Sequence, residues 1–207
     1  MNRWTRTLSP SITSLIRLDH SHVLATFHQY HAGTSPGRKA ALAGTVCLAL
    51  EIHAQLEEEL FYPELRALSP PGGKPLSIVE KSTPEHDEMR RLIAELRRLD
   101  AADPAFDRTF SELMRDVMHH VADEETTLLP AAEELLPPER LAELGAQMTR
   151  RRAQLLLPRA GELARHALRS LPHSAIVMGA GAVAAGAYLL GRVSPWDRPG
   201  RPGHPSA

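Results

Sequence analysis

The sequence predicts an all-α protein: an up-down-up-down four-helix bundle with a C-terminal helical extension. Three observations carry this reading. Alternating runs of Val, Ile, Thr and Tyr, and Asn-Gly or Asp-Gly hairpin turns, are absent from the 207 residues, so the usual strand signals are missing. Apolar residues instead recur at spacings of three and four along four long stretches, the period of a helix with one buried face. Short segments rich in Gly, Pro and Ser separate the stretches, so consecutive helices must turn back on one another.

The first helix, near 10–32, places Ile12, Ile16, Val23, Phe27 and Tyr30 in its stripe around Asp19-His20, and Gly33-Thr34-Ser35-Pro36-Gly37 stops it. The second, near 37–68, carries Leu42, Val46, Leu50, His53, Leu56, Glu57 and Leu60, and ends in the Pro/Gly-rich loop 69–75. The third, near 76–100, runs through Val79, His86, Met89, Ile93 and Leu96. Asp103 and Pro104 then suit a cap and a first helical turn. The fourth, near 105–136, runs through Phe110, Leu113, Val117, His120, Glu124, Leu128 and Ala131. Pro63 and Pro130 mark kinks or ends of the second and fourth helices. Pro137-Pro138 opens a fifth, amphipathic stretch with Leu141, Leu144, Met148 and Leu155 on one side.

Composition narrows the chemistry. The chain is 43% hydrophobic, enough for a core. Its single cysteine, Cys47, excludes a disulfide scaffold and a Cys-rich zinc or iron–sulfur site, and is expected to be a small core residue. The start has no apolar segment of a secretory signal, which points to a cytoplasmic protein. The net charge of −1 hides a split, because residues 150–207 hold nine arginines against only Glu162 and Asp197.

Histidine is the unusual residue, with 11 in the chain. His20, His53, His86 and His120 each sit in the apolar stripe of one bundle helix. Two of them head one motif: His53-x3-Glu57-Glu58-x4-Pro63 and His120-x3-Glu124-Glu125-x4-Pro130, offset throughout by 67 residues. Asp19-His20 and Glu85-His86 match at offset 66, so the chain reads as a duplicated helical hairpin. Residues i and i+4 share one helix face. His53 with Glu57, and His120 with Glu124, can therefore each aim an imidazole and a carboxylate at one internal point. A buried carboxylate without a partner costs several kcal/mol, and two metal ions bridged by the two glutamates would supply the missing charge. Nitrogen and oxygen donors without sulfur suit iron or manganese, and zinc is an alternative.

The order H…H-x3-E…H…H-x3-E on four consecutive helices resembles the hemerythrin-like, cation-binding HHE family. The segments Glu57-Glu58-x-x-Phe61-Tyr62-Pro63 and Glu124-Glu125-x-x-Leu128-Leu129-Pro130 share that likeness, which covers residues 10–136. The resemblance implies a non-haem di-iron centre, oxo- or hydroxo-bridged, with His20, His53, His86 and His120 as terminal ligands and Glu57 and Glu124 as bridges. It implies a protein that binds or senses oxygen, peroxide, nitric oxide or iron, the alternatives being a peroxide-consuming enzyme and an iron storage or donation protein. The third helix departs from the oxygen-carrying members: the positions one turn from His86 are Ser82 and Arg90, not a second histidine. Open metal positions follow, where a diatomic or peroxide ligand would bind.

The remaining polar residues have plainer readings beside functional ones. Asp19 and Glu85 are surface acids or orient neighbouring groups. Glu58, Glu59 and Glu125 are exposed charge, with Glu58 or Glu125 near the mouth of the site as the alternative. Arg90 makes a surface ion pair or gates the site. His119 is solvated, and His22, His28 and His31 are alternates on the first helix. Ferritin-like di-iron bundles use Glu-x-x-His, the reverse order, and no nucleic-acid-reading element accompanies the arginines.

Three segments are expected: residues 1–136, the bundle; 137–172, a basic amphipathic extension; and 173–207, an Ala/Gly-rich apolar segment and Pro-rich tail. Ala175 to Gly191 are uncharged, about 25 Å of helix against a membrane core of about 30 Å. With the basic stretch, giving contact through 150–192, they are expected to hold the protein at an inner membrane.

Overall fold

The computed structural model describes residues 10–31, 33–161 and 165. Among them the protein is helical throughout. Helix α1 spans Ile12–Phe27 and α2 spans Pro36–Leu56, extended by a π-turn, Glu57–Phe61, into α3, Tyr62–Leu68. Helix α4 spans Lys74–Leu96. Helix α5, Pro104–Asp123, runs through a second π-turn, Glu124–Leu128, into α6, Leu129–Leu135. Helix α7 spans Pro138–Leu156 and closes in a single 3₁₀ turn.

The helix starts follow local chemistry. Ser11 caps α1 by accepting the Ser14 amide at 3.1 Å, and Asp103 caps α5 by accepting the Ala105 amide at 2.8 Å. Pro36, Pro75, Pro104 and Pro138 lie in the first turns of α2, α4, α5 and α7, where a missing amide hydrogen leaves no bond unmade.

The bundle core is two apolar clusters. One joins Ile12, Ile16, Leu56, Phe61, Val79 and Leu128; the other joins Val23, Val46, Leu92, Phe110, Leu113 and Val117. On α1 and α4 the stripe passes from one cluster to the other at a buried histidine. His120 lies between the second-cluster residues of α5 and Leu128 of the first, so the fold holds a polar layer between two greasy ones. Cys47 lies in the second cluster, as expected of a small core residue.

Helix α7 packs on α1 and α2, and Leu141, Leu144 and Met148 belong to the first cluster. Gly145 permits this contact: a Cβ there would lie 2.0 Å from the Pro10 carbonyl oxygen. The arginines of α7 meet bundle acids. Arg140 pairs with Glu64, Arg151 with Glu59 at 2.7 Å, and Arg152 with Asp19 at 2.5 Å. Among the described residues no helix is long and apolar enough to cross a membrane. Ala175–Gly191, the segment expected to reach one, lies outside the described residues.

Candidate metal centre

All six residues expected in the site meet in the polar layer. His20, His53, His86, His120, Glu57 and Glu124 are buried, both glutamates completely. His53 Nε2 and His86 Nε2 lie 3.3 and 3.5 Å from the same oxygen, Glu57 Oε2. His20 Nε2 and His120 Nε2 lie 3.3 and 3.6 Å from Glu124 Oε2. Two adjoining donor sets result, within each of which all ligand atoms lie within 4.8 Å of one another: His20, His53, Glu57 and Glu124, and Glu57, His86 and His120. Glu57 belongs to both.

The glutamates owe their position to the π-turns that they open. Pro63 and Pro130 follow those turns; each lacks an amide hydrogen and crowds the carbonyl four residues back. The wider turn absorbs the misfit, with the Tyr62 and Leu129 amides bonding the Glu57 and Glu124 carbonyls five residues earlier. The helices therefore continue past both prolines. The turn also aligns residues i and i+5, which an α-helix would set about 140° apart. Tyr62 is thereby aimed into the site. Its hydroxyl donates to Glu124 Oε1 at 2.9 Å and lies 3.2 Å from Glu57 Oε2, while its ring stacks on His86 at 5.7 Å. Sequence reasoning missed Tyr62. Its one signal was a break in the duplication, since the residue 67 positions later is Leu129.

Outside the layer, each imidazole meets a carboxylate through Nδ1. His20 faces Glu125 at 2.9 Å, His86 faces Glu58 at 2.9 Å, His120 faces Glu85 at 2.9 Å and His53 faces Asp19 at 3.4 Å. Asp19 and Glu85 therefore orient imidazoles, and so do the half-exposed Glu58 and Glu125. Three of these acids are backed by cations: Glu58 by Arg90 at 2.7 Å, Glu85 by Lys81 at 3.0 Å and Asp19 by Arg152 at 2.5 Å. Arg90 thus pairs with an acid that touches the site. Glu59, by contrast, is exposed, as are His22, His28, His31 and His119.

These contacts set the electrostatics. A carboxylate accepts only, so each Nδ1 carries a hydrogen, and an imidazole in its neutral form then turns the Nε2 lone pair inward. The Nε2 atoms of His86 and His120 face each other at 3.2 Å. His20 Nε2, His53 Nε2, Glu57 Oε1 and Glu124 Oε2 are buried without a hydrogen-bond partner. Burial, then the facing Glu124, pushes the Glu57 carboxyl well up. On Glu124 burial acts in the same direction, but His120, His20 and His53 outweigh it and hold the group down. Burial lowers His53 to about 4 and also lowers His86. Burial opposes charge on His120 too, yet Glu124 and Glu85 raise it. Burial and then Glu57 raise the Tyr62 phenol.

Beside His20, His53 and His120 remains a chamber of about 10 Å³, walled by Val23, Leu50 and Val117. That is roughly room for one water-sized molecule.

The chain resembles known proteins. The family model described as the hemerythrin HHE cation binding domain matches residues 11–132. A Nostoc protein described as a DNA nickase is 30% identical over 129 residues, which are 62% of this chain and 35% of that protein. The chain thus spans about a third of that relative's length. A solved structure of a hemerythrin HHE cation binding domain-containing protein from Mycobacterium kansasii, 20% identical, covers 78% of this chain and 99% of its own, with a TM-score of 0.60.

Proposed function

The chain belongs to the hemerythrin HHE cation-binding family, and from that premise we propose that it is a di-iron protein that binds or senses a small ligand. His20 and His53 would hold one ion and His86 and His120 the other, with Glu57 shared and Glu124 beside it. One observation carries the reading: inward lone pairs of the imidazoles and two buried carboxylates converge with a single tyrosine hydroxyl as donor. Such a set is costly without a cation. The nitrogen and oxygen donors, with no sulfur, fit iron, and manganese or zinc fit less specifically. Iron bound there supplies open coordination positions and electrons for a small ligand.

The chain's own residues do the rest. Glu125, Asp19, Glu58 and Glu85 hold the imidazoles in the metal-ready tautomer. Tyr62 keeps a proton at Oη against Glu124 Oε1. The chamber's size and walls support a ligand no larger than a diatomic, and the apolar layers on either side keep bulk water out.

Metal analysis of anaerobically purified protein tests this. Close to two iron ions per chain are expected, with loss in Glu57→Ala/Glu124→Ala. Fewer than about one metal per chain, or metal content unchanged by that double substitution, overturns the reading.

A further inference from the structure

The acid behind His53 differs from the other three. Its backing cation, Arg152, comes from α7, beyond the residues matched by the family model. Its contact with the imidazole, 3.4 Å, is the longest of the four. Asp19 also lines two spaces at once. One is the chamber beside His20 and His53. The other is a groove of about 240 Å³ among α1, α2 and α7, walled by Leu48, Ala49, Ile52 and Leu156, with Arg152 beside Asp19.

We propose that groove and chamber are two halves of one route by which a neutral diatomic gas reaches the His20–His53 side of the centre, and that the Asp19–Arg152 pair is its door. The walls expose mainly carbon, from Leu48, Ala49, Ile52 and Leu156 in the groove and from Val23, Leu50 and Val117 in the chamber. His22 and Thr45 in the groove and the imidazoles in the chamber are the polar exceptions beside the Asp19–Arg152 pair. A neutral diatomic enters such a medium freely, whereas an anion must shed its water and, beyond an Arg152 already paired with Asp19, meets the Asp19 carboxylate. The door is a weak link: both side chains are about a fifth exposed, at 21% and 23%, and a partly exposed ion pair opens readily. When the pair parts and Arg152 swings into solvent, the wall that it and Asp19 form is withdrawn. His53 keeps its place because its ring also lies edge-on against His20, 4.9 Å away. Helix α7 thereby becomes part of the site's access.

The proposal rests on the metal reading only for what the gas does on arrival, so its test has one arm that needs no metal. In the full chain under dissolved dioxygen, NMR relaxation of the Val23, Leu50 and Val117 methyls should quicken more than that of Leu92 and Ile93, which lie in the closed core. Arg152→Ala should increase the effect and Arg152→Lys should return it toward the parent. Ala49→Phe, filling the groove, should suppress it; if that variant does not fold, the two Arg152 variants decide. In the second arm, iron(II)-loaded protein is mixed with dioxygen in a stopped-flow spectrometer. Arg152→Ala should raise the rate about fivefold, the worth of one weak ion pair, while the rate with azide changes less. Chamber methyls that respond no more than Leu92 and Ile93, or that ignore Arg152→Ala, overturn the route. An equal rise with azide overturns its preference for neutral ligands. Methyls that respond while iron-loaded protein never reacts would keep the route and overturn the metal reading.

Discussion

Tyr62→Phe removes one oxygen atom and leaves the ring that stacks on His86. The lost hydroxyl donates to Glu124 Oε1 at 2.9 Å and lies 3.2 Å from Glu57 Oε2. Tyr62, Glu57 and Glu124 are all fully buried, so water does not replace the bond. A hydrogen bond to a charged group contributes about 1.5–3 kcal/mol, and an acceptor stranded by its removal keeps its desolvation penalty. The metal-free variant should therefore lose about 2 kcal/mol, or about 4–8 °C in Tm for a domain of this size. With metal bound, the cation satisfies the same carboxylate oxygens, and the loss should fall below about 1 kcal/mol. The thermodynamic cycle then requires Tyr62→Phe to bind metal more tightly, by about fivefold. Urea unfolding of both proteins, with and without metal, reads all four corners, and an unchanged m-value confirms that the denatured state is not the cause. Equal losses with and without metal, or none without it, would refute the view that the hydroxyl stands in for missing cation charge.

Other substitutions probe the same layers. Glu57→Gln should abolish shared metal binding yet stabilise the metal-free protein by about 1 kcal/mol, because it replaces the carboxyl that burial already pushes toward neutrality; calorimetry with metal analysis checks both halves. In that background the effect of His53 on pH dependence can be isolated against Glu57→Gln/His53→Gln. Burial lowers His53 from 6.5 to about 4 in the folded state. The unfolded chain therefore binds the proton first, and the contribution is fully present above pH 6.5 and lost as pH falls toward 4. It should amount to about 3 kcal/mol between those limits, and a flat difference between the two variants over that window would count against it. Gly145→Ala should destabilise by about 1–3 kcal/mol despite its better helix propensity, because its Cβ would meet Pro10 backbone at 2.0 Å. A stabilised Gly145→Ala would show that α7 is not seated as described.

The six clustered His and Glu residues were legible because the α-helical period is enough to find them. His53 with Glu57 and His120 with Glu124 share a face by spacing alone, and the duplication gave His20 and His86 their place. Tyr62 was not legible for the same reason in reverse. At the α-helical period it points about 140° from Glu57, and only the π-turn before Pro63 brings it in. The outer acids split along a similar line. Asp19 and Glu85 precede a histidine in sequence and serve the histidine of the next helix, His53 and His120. Glu58 and Glu125 serve His86 and His20 from the opposite half of the duplication, a pairing that no local pattern contains. The arginines of α7 looked like an unpaired basic patch because Arg140, Arg151 and Arg152 find their acids 76, 92 and 133 residues away.

The same contacts make the two halves of the centre unequal. Duplication alone would give two equivalent metal positions, but Tyr62 has Leu129 as its counterpart and so caps only one of them. Its ring covers His86, and its hydroxyl lies 3.5 Å from His86 Nε2. The chamber opens instead beside His20 and His53, with His120 at its edge. The free space therefore lies on the His20–His53 side, while the His86 side is closed by a side chain already bonded to the carboxylates. Asp19, which the α7 arginine holds, stands on the open side. On the proposed reading, the asymmetry would give ligand access to one position and proton-holding to the other, a division that two identical hairpins would not produce.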